Sequence, residues 1–290
     1  MNTTQTQSLP SISELFKQIF SFYFSNWKII LGISGVPFIL GIAQILAEKY
    51  APAIFIGIIF VIIFIVSFIS RMALFSAITE DGKPVGGISG SYKKGLKMLI
   101  PFVWASSYVA LTAVGGFFAF IIPALIVSIF LSFSLYIVFT EERRGISALV
   151  ASWYYVRGHW WPVFWRILFF GILFTLIFAL VGLLIEVILI GPGFFTKLIA
   201  GEKMNPNNVP LASEIFDLFF SNLFLTPLVI IYPYLIYRSL KEIKGPAPAE
   251  DPKIKKNITI FMTIGIAGLV LSMVIAGLLL IGFLIKTIGV

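Results

Sequence analysis

The side chains that could do chemistry in this chain are few and scattered. There is one histidine, His159, and no cysteine, which removes thiolate nucleophiles, Cys-ligated metals and any site that needs paired imidazoles. Serines are frequent, yet none stands in a G-x-S-x-G turn with an acid–histidine set to activate it. Gly82 to Gly95 is glycine-rich and basic but lacks the G-x-x-x-x-G-K-[ST] spacing of a phosphate loop. What remains are single ionisable residues beside or within apolar runs: Arg71, Glu186 and Asp217. Each would cost on the order of 2.5–3.5 kcal/mol at the centre of a bilayer, so each needs a reason. Glu186 facing the interior of a helix bundle would carry a proton or a cation; close to Gly191 and Pro192, it equally reaches water. Asp217, one turn after Glu214, complements the positive end of a helix dipole. Arg71 follows an apolar run and can snorkel to head groups. No metal site and no cofactor is expected from this inventory, and no catalytic residue.

Basic residues cluster instead of acids. Lys93, Lys94, Lys97 and Arg157 are candidates for anionic lipid head groups, at about 1 kcal/mol per charge near a negatively charged leaflet. The net charge of +8 points the same way, because the surrounding chain is too apolar for a nucleic-acid-binding domain. Of its 290 residues 59% are hydrophobic and 12% charged, and the mean hydropathy is +1.02. A soluble domain carries roughly 45–50% apolar and about 25% charged residues. Such a chain cannot build a water-facing surface, so the bilayer is the partner implied first.

Crossing a ~30 Å hydrocarbon core takes about 20 apolar residues in a helix. Runs free of Asp, Glu, Lys and Arg predict spans at Ile29 to Ala47, Tyr50 to Ser70, Ile167 to Ile185, Leu218 to Tyr237 and Asn257 to Ile285. Met98 to Thr140 is another such run, of 43 residues. As one helix it would reach about 65 Å, so it must fold back, and Pro123 marks the place, since proline interrupts the hydrogen-bond ladder. Seven spans result. Continuous apolar runs such as Phe55 to Phe64 lack the period-2 alternation of a membrane barrel. The fold class predicted is all-α: a polytopic transmembrane bundle with cytoplasmic interfacial amphipathic helices.

Orientation follows from charge. With the N-terminus cytoplasmic, 17 of the 21 Lys and Arg fall on the cytoplasmic side and 4 outside, as the positive-inside rule requires. All six Trp lie toward the same end. A bacterial-type plasma membrane is expected, with the C-terminus outside.

Ahead of the first span, Ser11 and Glu14 have capping-box spacing, and Ile12, Leu15, Phe16, Ile19, Phe20 and Tyr23 share one helical face. That helix either lies in the interface or packs on the ends of the bundle. Similar amphipathic entries precede the third span (Ser89 to Lys97) and the fifth (Ser147 to Pro162). In the last of these, Ser152, Trp153, Arg157, Gly158 and Trp161 form a Ser-Trp-x-x-x-(basic)-Gly-x-x-(aromatic) motif. This motif, with Tyr237-Arg238 after the sixth span, resembles the membrane region attached to some bacterial glycerophosphodiester phosphodiesterases and its stand-alone relatives. The resemblance covers roughly residues 10 to 245 and implies a membrane bundle. The phosphodiester hydrolysis of that family belongs to a separate soluble barrel, which nothing in this chain encodes.

The linear organisation read from these features is an amphipathic helix over 1–28, a six-span bundle over 29–240, a Pro-rich charged linker over 241–257 and a C-terminal span over 258–290. On that last helix Gly268, Ser272 and Ala276 recur every fourth residue, a face for close helix packing on its own bundle, on a second copy or on another membrane protein. The function expected is non-enzymatic and lipid-associated or membrane-organising. The alternative is a transporter or channel component using Glu186 and Asp217, with Asn222, Pro227 and Pro233 breaking the sixth helix around a solute.

Overall fold

The computed structural model describes residues 8–50, 52–191 and 211–288. No strand occurs among the described residues, and seven helical stretches are long and apolar enough to cross a membrane. The chain is an all-α, multi-pass membrane protein. Lys197 and Lys203, counted above on the outer side, and Pro192 lie outside the described residues, as do positions 1–7 of the N-terminal segment.

The helices are α1 (Ile12–Ser25), α2 (Trp27–Tyr50), α3 (Ala53–Thr79), α4 (Gly87–Lys97), α5 (Leu99–Ala119), α6 (Ile121–Leu131), α7 (Ser134–Thr140) and α8 (Ile146–Val156). They continue with α9 (Trp160–Ile190), α10 (Leu211–Phe219), a π-helical turn (Phe220–Leu225), α11 (Thr226–Lys244) and α12 (Pro252–Ile288). The 43-residue run breaks at Phe120 (φ +151°), three residues before the expected proline. Pro123 sits in the first turn of α6, where a missing N–H costs no intrahelical bond. Arg71 does not end the second span: α3 runs on to Thr79, because a charged side chain leaves the backbone ladder intact. The linker is shorter than composition suggested. Helix α11 continues to Lys244 and α12 starts at Pro252, leaving residues 245–251 between them.

Two compact units form, each from separated stretches of chain. One gathers Leu9–Met98 and Phe164–Ile236; the other gathers Leu99–Val163 with the chain from Tyr237 onward.

In the first unit Ser11 caps α1 by accepting from the Glu14 N–H (3.2 Å). The apolar face of α1 turns into protein: Leu15, Ile19 and Tyr23 are buried, while Phe20, Phe24 and Trp27 beside them remain exposed. Phe16 stacks on Phe174, and Phe170 stacks on Tyr232 at 4.1 Å. Helix α4 packs on α3 so closely that a Cβ on Gly95 would meet the Met72 and Ala73 backbone. The π turn precedes Pro227, whose ring nitrogen cannot bond the carbonyl four residues back, that of Leu223. Tyr23 replaces the missing donor, its hydroxyl reaching the Leu223 oxygen at 2.8 Å.

In the second unit α12 lies along α5 with backbones in contact. A Cβ on Gly115 would collide with the Phe261 carbonyl, and one on Gly265 with the Leu111 carbonyl and the Gly115 amide. Helix α8 is enclosed by protein rather than exposed along one face. Ala148 to Ser152, Tyr155 and Val156 are all buried, and Leu149 and Val150 join Val127, Leu131, Ile254 and Ile258 in one core.

Candidate functional site

Among the described residues the polar cavity of the first unit has the features of a binding site. It measures about 60 Å³ and is lined by Ser34 of α2, Ser67, Ser70 and Arg71 of α3, and Asn222 and Thr226 around the π turn. Arg71 stands eight residues before the end of α3, about 12 Å along the helix. It makes no ion pair or hydrogen bond with any described residue, and no carboxylate lines the cavity. Ser34 and Ser70 are buried while Arg71 is exposed, giving the cavity a cationic mouth and a hydroxyl floor. Ser70 shares a hydrogen bond with Tyr92 of α4 (3.0 Å). The Ser34 hydroxyl is buried with no partner among the described residues. The π turn shapes the opposite wall: the Asn222 amide donates to the Leu218 carbonyl (3.0 Å) and the Thr226 hydroxyl to the Ser221 carbonyl (2.8 Å). Helical turns of this type concentrate at functional sites.

A second polar cluster, in the other unit, differs in kind because its groups are satisfied. Glu141 follows α7, and its Oε1 accepts from the hydroxyls of Tyr155 (2.7 Å) and Tyr237 (2.8 Å) and from the Lys241 ammonium (3.2 Å). Its Oε2 faces the Arg143 guanidinium at 3.0 Å. Burial opposes the charge on Glu141, but the two tyrosine hydroxyls and Lys241 outweigh it and hold the carboxyl below its ordinary value. Tyr155, pushed up by burial and by the carboxylate it serves, stays a neutral donor. Its oxygen also accepts from the Ala247 N–H (3.1 Å), and Arg143 donates to the carbonyls of Ala247 (2.6 Å) and Pro248 (2.7 Å). The cluster fastens the 245–251 connection to α7 and α8 and offers no free group for catalysis.

The Ser-Trp motif resolves into joints of the same unit. Ser152 donates to the Phe130 carbonyl (2.7 Å) and accepts from the Phe133 N–H (3.1 Å), bridging the interruption between α6 and α7. Trp153 stacks on Phe130 at 4.2 Å. Arg157 is exposed and its carbonyl accepts from Lys244. Gly158 turns the chain at φ +84°, a conformation that favours glycine. Trp161 is 62% exposed and packs edge-on to Trp160.

The other sequence candidates divide. Lys93 and Lys97 are exposed on α4, whereas Lys94 is neutralised by Glu80 at 2.6 Å. Glu186 is partly buried near the end of α9, and Asp217 is exposed in α10. Neither lines the polar cavity, so the structure does not bring them together with Asn222. His159 is held below its ordinary value by burial and then by Lys244, which makes it a neutral imidazole. Of the small-residue stripe, Gly268 is buried against Phe118, but Ser272 and Ala276 are exposed. An apolar pocket of about 390 Å³ between Phe170, Phe174, Val229 and Tyr232 carries no convergent polar groups.

Sequence reading passed over the hydroxyl floor. Its signal was present: Ser67, Ser70 and Arg71, at i, i+3 and i+4, form a polar stripe along an otherwise apolar helix. Glu141 had no comparable signal, since its partners stand up to 100 residues away in the chain. No family model, curated protein or solved structure matches this chain.

Proposed function

We propose that this multi-pass membrane protein acts without catalysis, as a lipid-associated, membrane-organising component of a bacterial-type plasma membrane. One observation carries the reading. Helix α4 is pinned to α3 through Gly95 and the Lys94–Glu80 pair, yet it leaves Lys93, Lys97 and the apolar Leu96 between them exposed. A fixed helix that presents cations around an apolar side chain suits a surface of anionic head groups over acyl chains. The exposed Trp27, Trp104, Trp161 and Trp165 are the residue type that favours the membrane–water boundary. The motif's resemblance to one in the membrane region of the phosphodiesterases is in keeping with a bundle that serves as a membrane module. A solute pathway through Glu186 and Asp217 gains no support, because the polar cavity holds neither.

The test is lipid retention. Full-length protein in nanodiscs containing phosphatidylcholine and phosphatidylglycerol should enrich the anionic lipid, and salt should weaken the enrichment. Lys93→Gln with Lys97→Gln should lower it by about thirtyfold at low salt, at about 1 kcal/mol per charge. An unchanged lipid profile would remove α4 as the lipid-facing element.

A further inference from the structure

We propose that the Arg71 cavity binds one phosphate-class oxyanion, supplied by the head group of an anionic phospholipid. The inference rests on the lipid-associated reading and names the ligand chemistry and the site, which that reading leaves open.

Charge decides the class of ligand. A guanidinium on an apolar helix is expensive without a counter-charge, and Arg71 finds none among the described residues. Its cavity contains no carboxylate, so a cation would meet only repulsion and a neutral solute would leave the charge uncompensated. The donor set agrees. Arg71 offers a planar fork of N–H groups, Ser34 a buried hydroxyl with no partner among the described residues, and Ser67 a further hydroxyl on the same stripe. A phosphate presents several acceptor oxygens to such donors, and Arg–phosphate bonds are among the strong charge-assisted ones.

Size and depth narrow the ligand further. At about 60 Å³ the cavity falls far below the 300–1,000 Å³ of pockets that enclose drug-sized molecules, so one small oxyanion fits and a nucleotide or sugar does not. Arg71 directly precedes Met72 and Ala73, the step of α3 on which Gly95 of α4 packs, and Ser70 bonds Tyr92 of that helix. The cavity mouth therefore lies at the level of the helix that presents Lys93 and Lys97. A phospholipid at that level would place its phosphate against Arg71 and leave its acyl chains in the membrane.

The experiment compares two sources of the anion. Full-length protein is placed in nanodiscs of phosphatidylcholine with phosphatidylglycerol, and separately in phosphatidylcholine alone with inorganic phosphate added. Retained lipid is read by native mass spectrometry and bound phosphate by ³¹P NMR. Arg71→Gln should lower high-salt retention of phosphatidylglycerol by about tenfold, and Arg71→Lys should restore part of it. Lys93→Gln with Lys97→Gln should reduce only the salt-sensitive fraction, so failure of the surface reading and failure of this site give different patterns. Arg71-dependent binding of inorganic phosphate with unchanged lipid retention would keep the oxyanion site and overturn the lipid source. No Arg71 dependence in either arm would overturn the proposal. Ser34→Ala, which removes one hydroxyl, is read in the same way should Arg71→Gln not fold.

Discussion

Glu141 shows how a charge is kept inside this molecule at low cost. Its carboxylate takes three donors on one oxygen and faces a guanidinium with the other, so the low local dielectric strengthens bonds that are all made. Replacing it with Gln sets an amide N–H₂ against either Arg143 or the donors on the far side. Glu141→Gln should therefore destabilise the protein by about 1–3 kcal/mol, read as a lower Tm in detergent. The pH dependence has a definite sign. The native carboxyl sits below its ordinary value of 4.5, so as pH falls the unfolded chain takes up the proton first, and protonation favours unfolding. Stability from this group is complete above that ordinary value and is lost as pH drops through the native one. The Gln variant should lack this acidic component of the Tm profile; an identical profile would show that Glu141 does not contribute to it. Arg71 has the opposite character, a charge with donors to spare. In the sequence Arg71 stands alone beside an apolar run, whereas Glu141 is one of four consecutive charged residues, Glu141 to Arg144. What separates them is partners drawn from distant segments, which spacing within one helix cannot reveal.

The seam between α5 and α12 illustrates what helix-level patterns can and cannot specify. In a bilayer there is no hydrophobic drive to bring two apolar helices together, so close packing through small residues supplies the attraction. Here the approach occurs at Gly115 and Gly265, where any Cβ would strike backbone of the other helix and no side-chain motion relieves it. Gly265→Ala should cost about 1–3 kcal/mol, seen as a lower Tm in detergent. Gly277→Ala, on the same helix with open space around it, should be neutral. Equal behaviour of the two would mean that the seam contributes nothing. Of the four-residue recurrence of small side chains on α12, Gly268 packs against Phe118, while Ser272 and Ala276 are exposed. The recurrence cannot tell which turn meets a partner, because Gly115, which fixes it, lies on another helix. The same limit explains α8. Leu149, Trp153, Val156 and Trp160 fall along one stripe by spacing, yet Ala148, Ala151 and Ser152 on the other side are buried as well. Length and hydropathy, by contrast, were local properties, and seven spans followed from them directly.

For the chain as a whole, parity is the quantity that matters: an odd number of crossings puts the two ends on opposite sides of the membrane. The fourth crossing is made of two pieces, α6 and α7, interrupted at Ser132 and Phe133. Together Ile121–Thr140 make 20 residues, about 30 Å of helix, which is the thickness of the core. The Ser152 bridge keeps the two pieces joined across the interruption, so they count as one span. Were α6 a re-entrant half-helix instead, the basic residues at 143, 144 and 157 would move to the outer side and the charge asymmetry would collapse. The absence of native cysteine allows a direct check with single cysteines. On intact cells a membrane-impermeant maleimide should label Lys49→Cys and a cysteine appended after Val290. It should label Ser8→Cys and Glu250→Cys only after permeabilisation. Labelling of Glu250→Cys together with the appended cysteine would mean that α12 does not cross, and labelling of all four alike would refute the seven-span arrangement. Because Lys93 and Lys97 precede the third span, the same labelling also fixes which leaflet faces α4 and the mouth of the Arg71 cavity. An inner-leaflet location is what gives those cations anionic lipid to meet, since the cytoplasmic leaflet carries the negative surface potential.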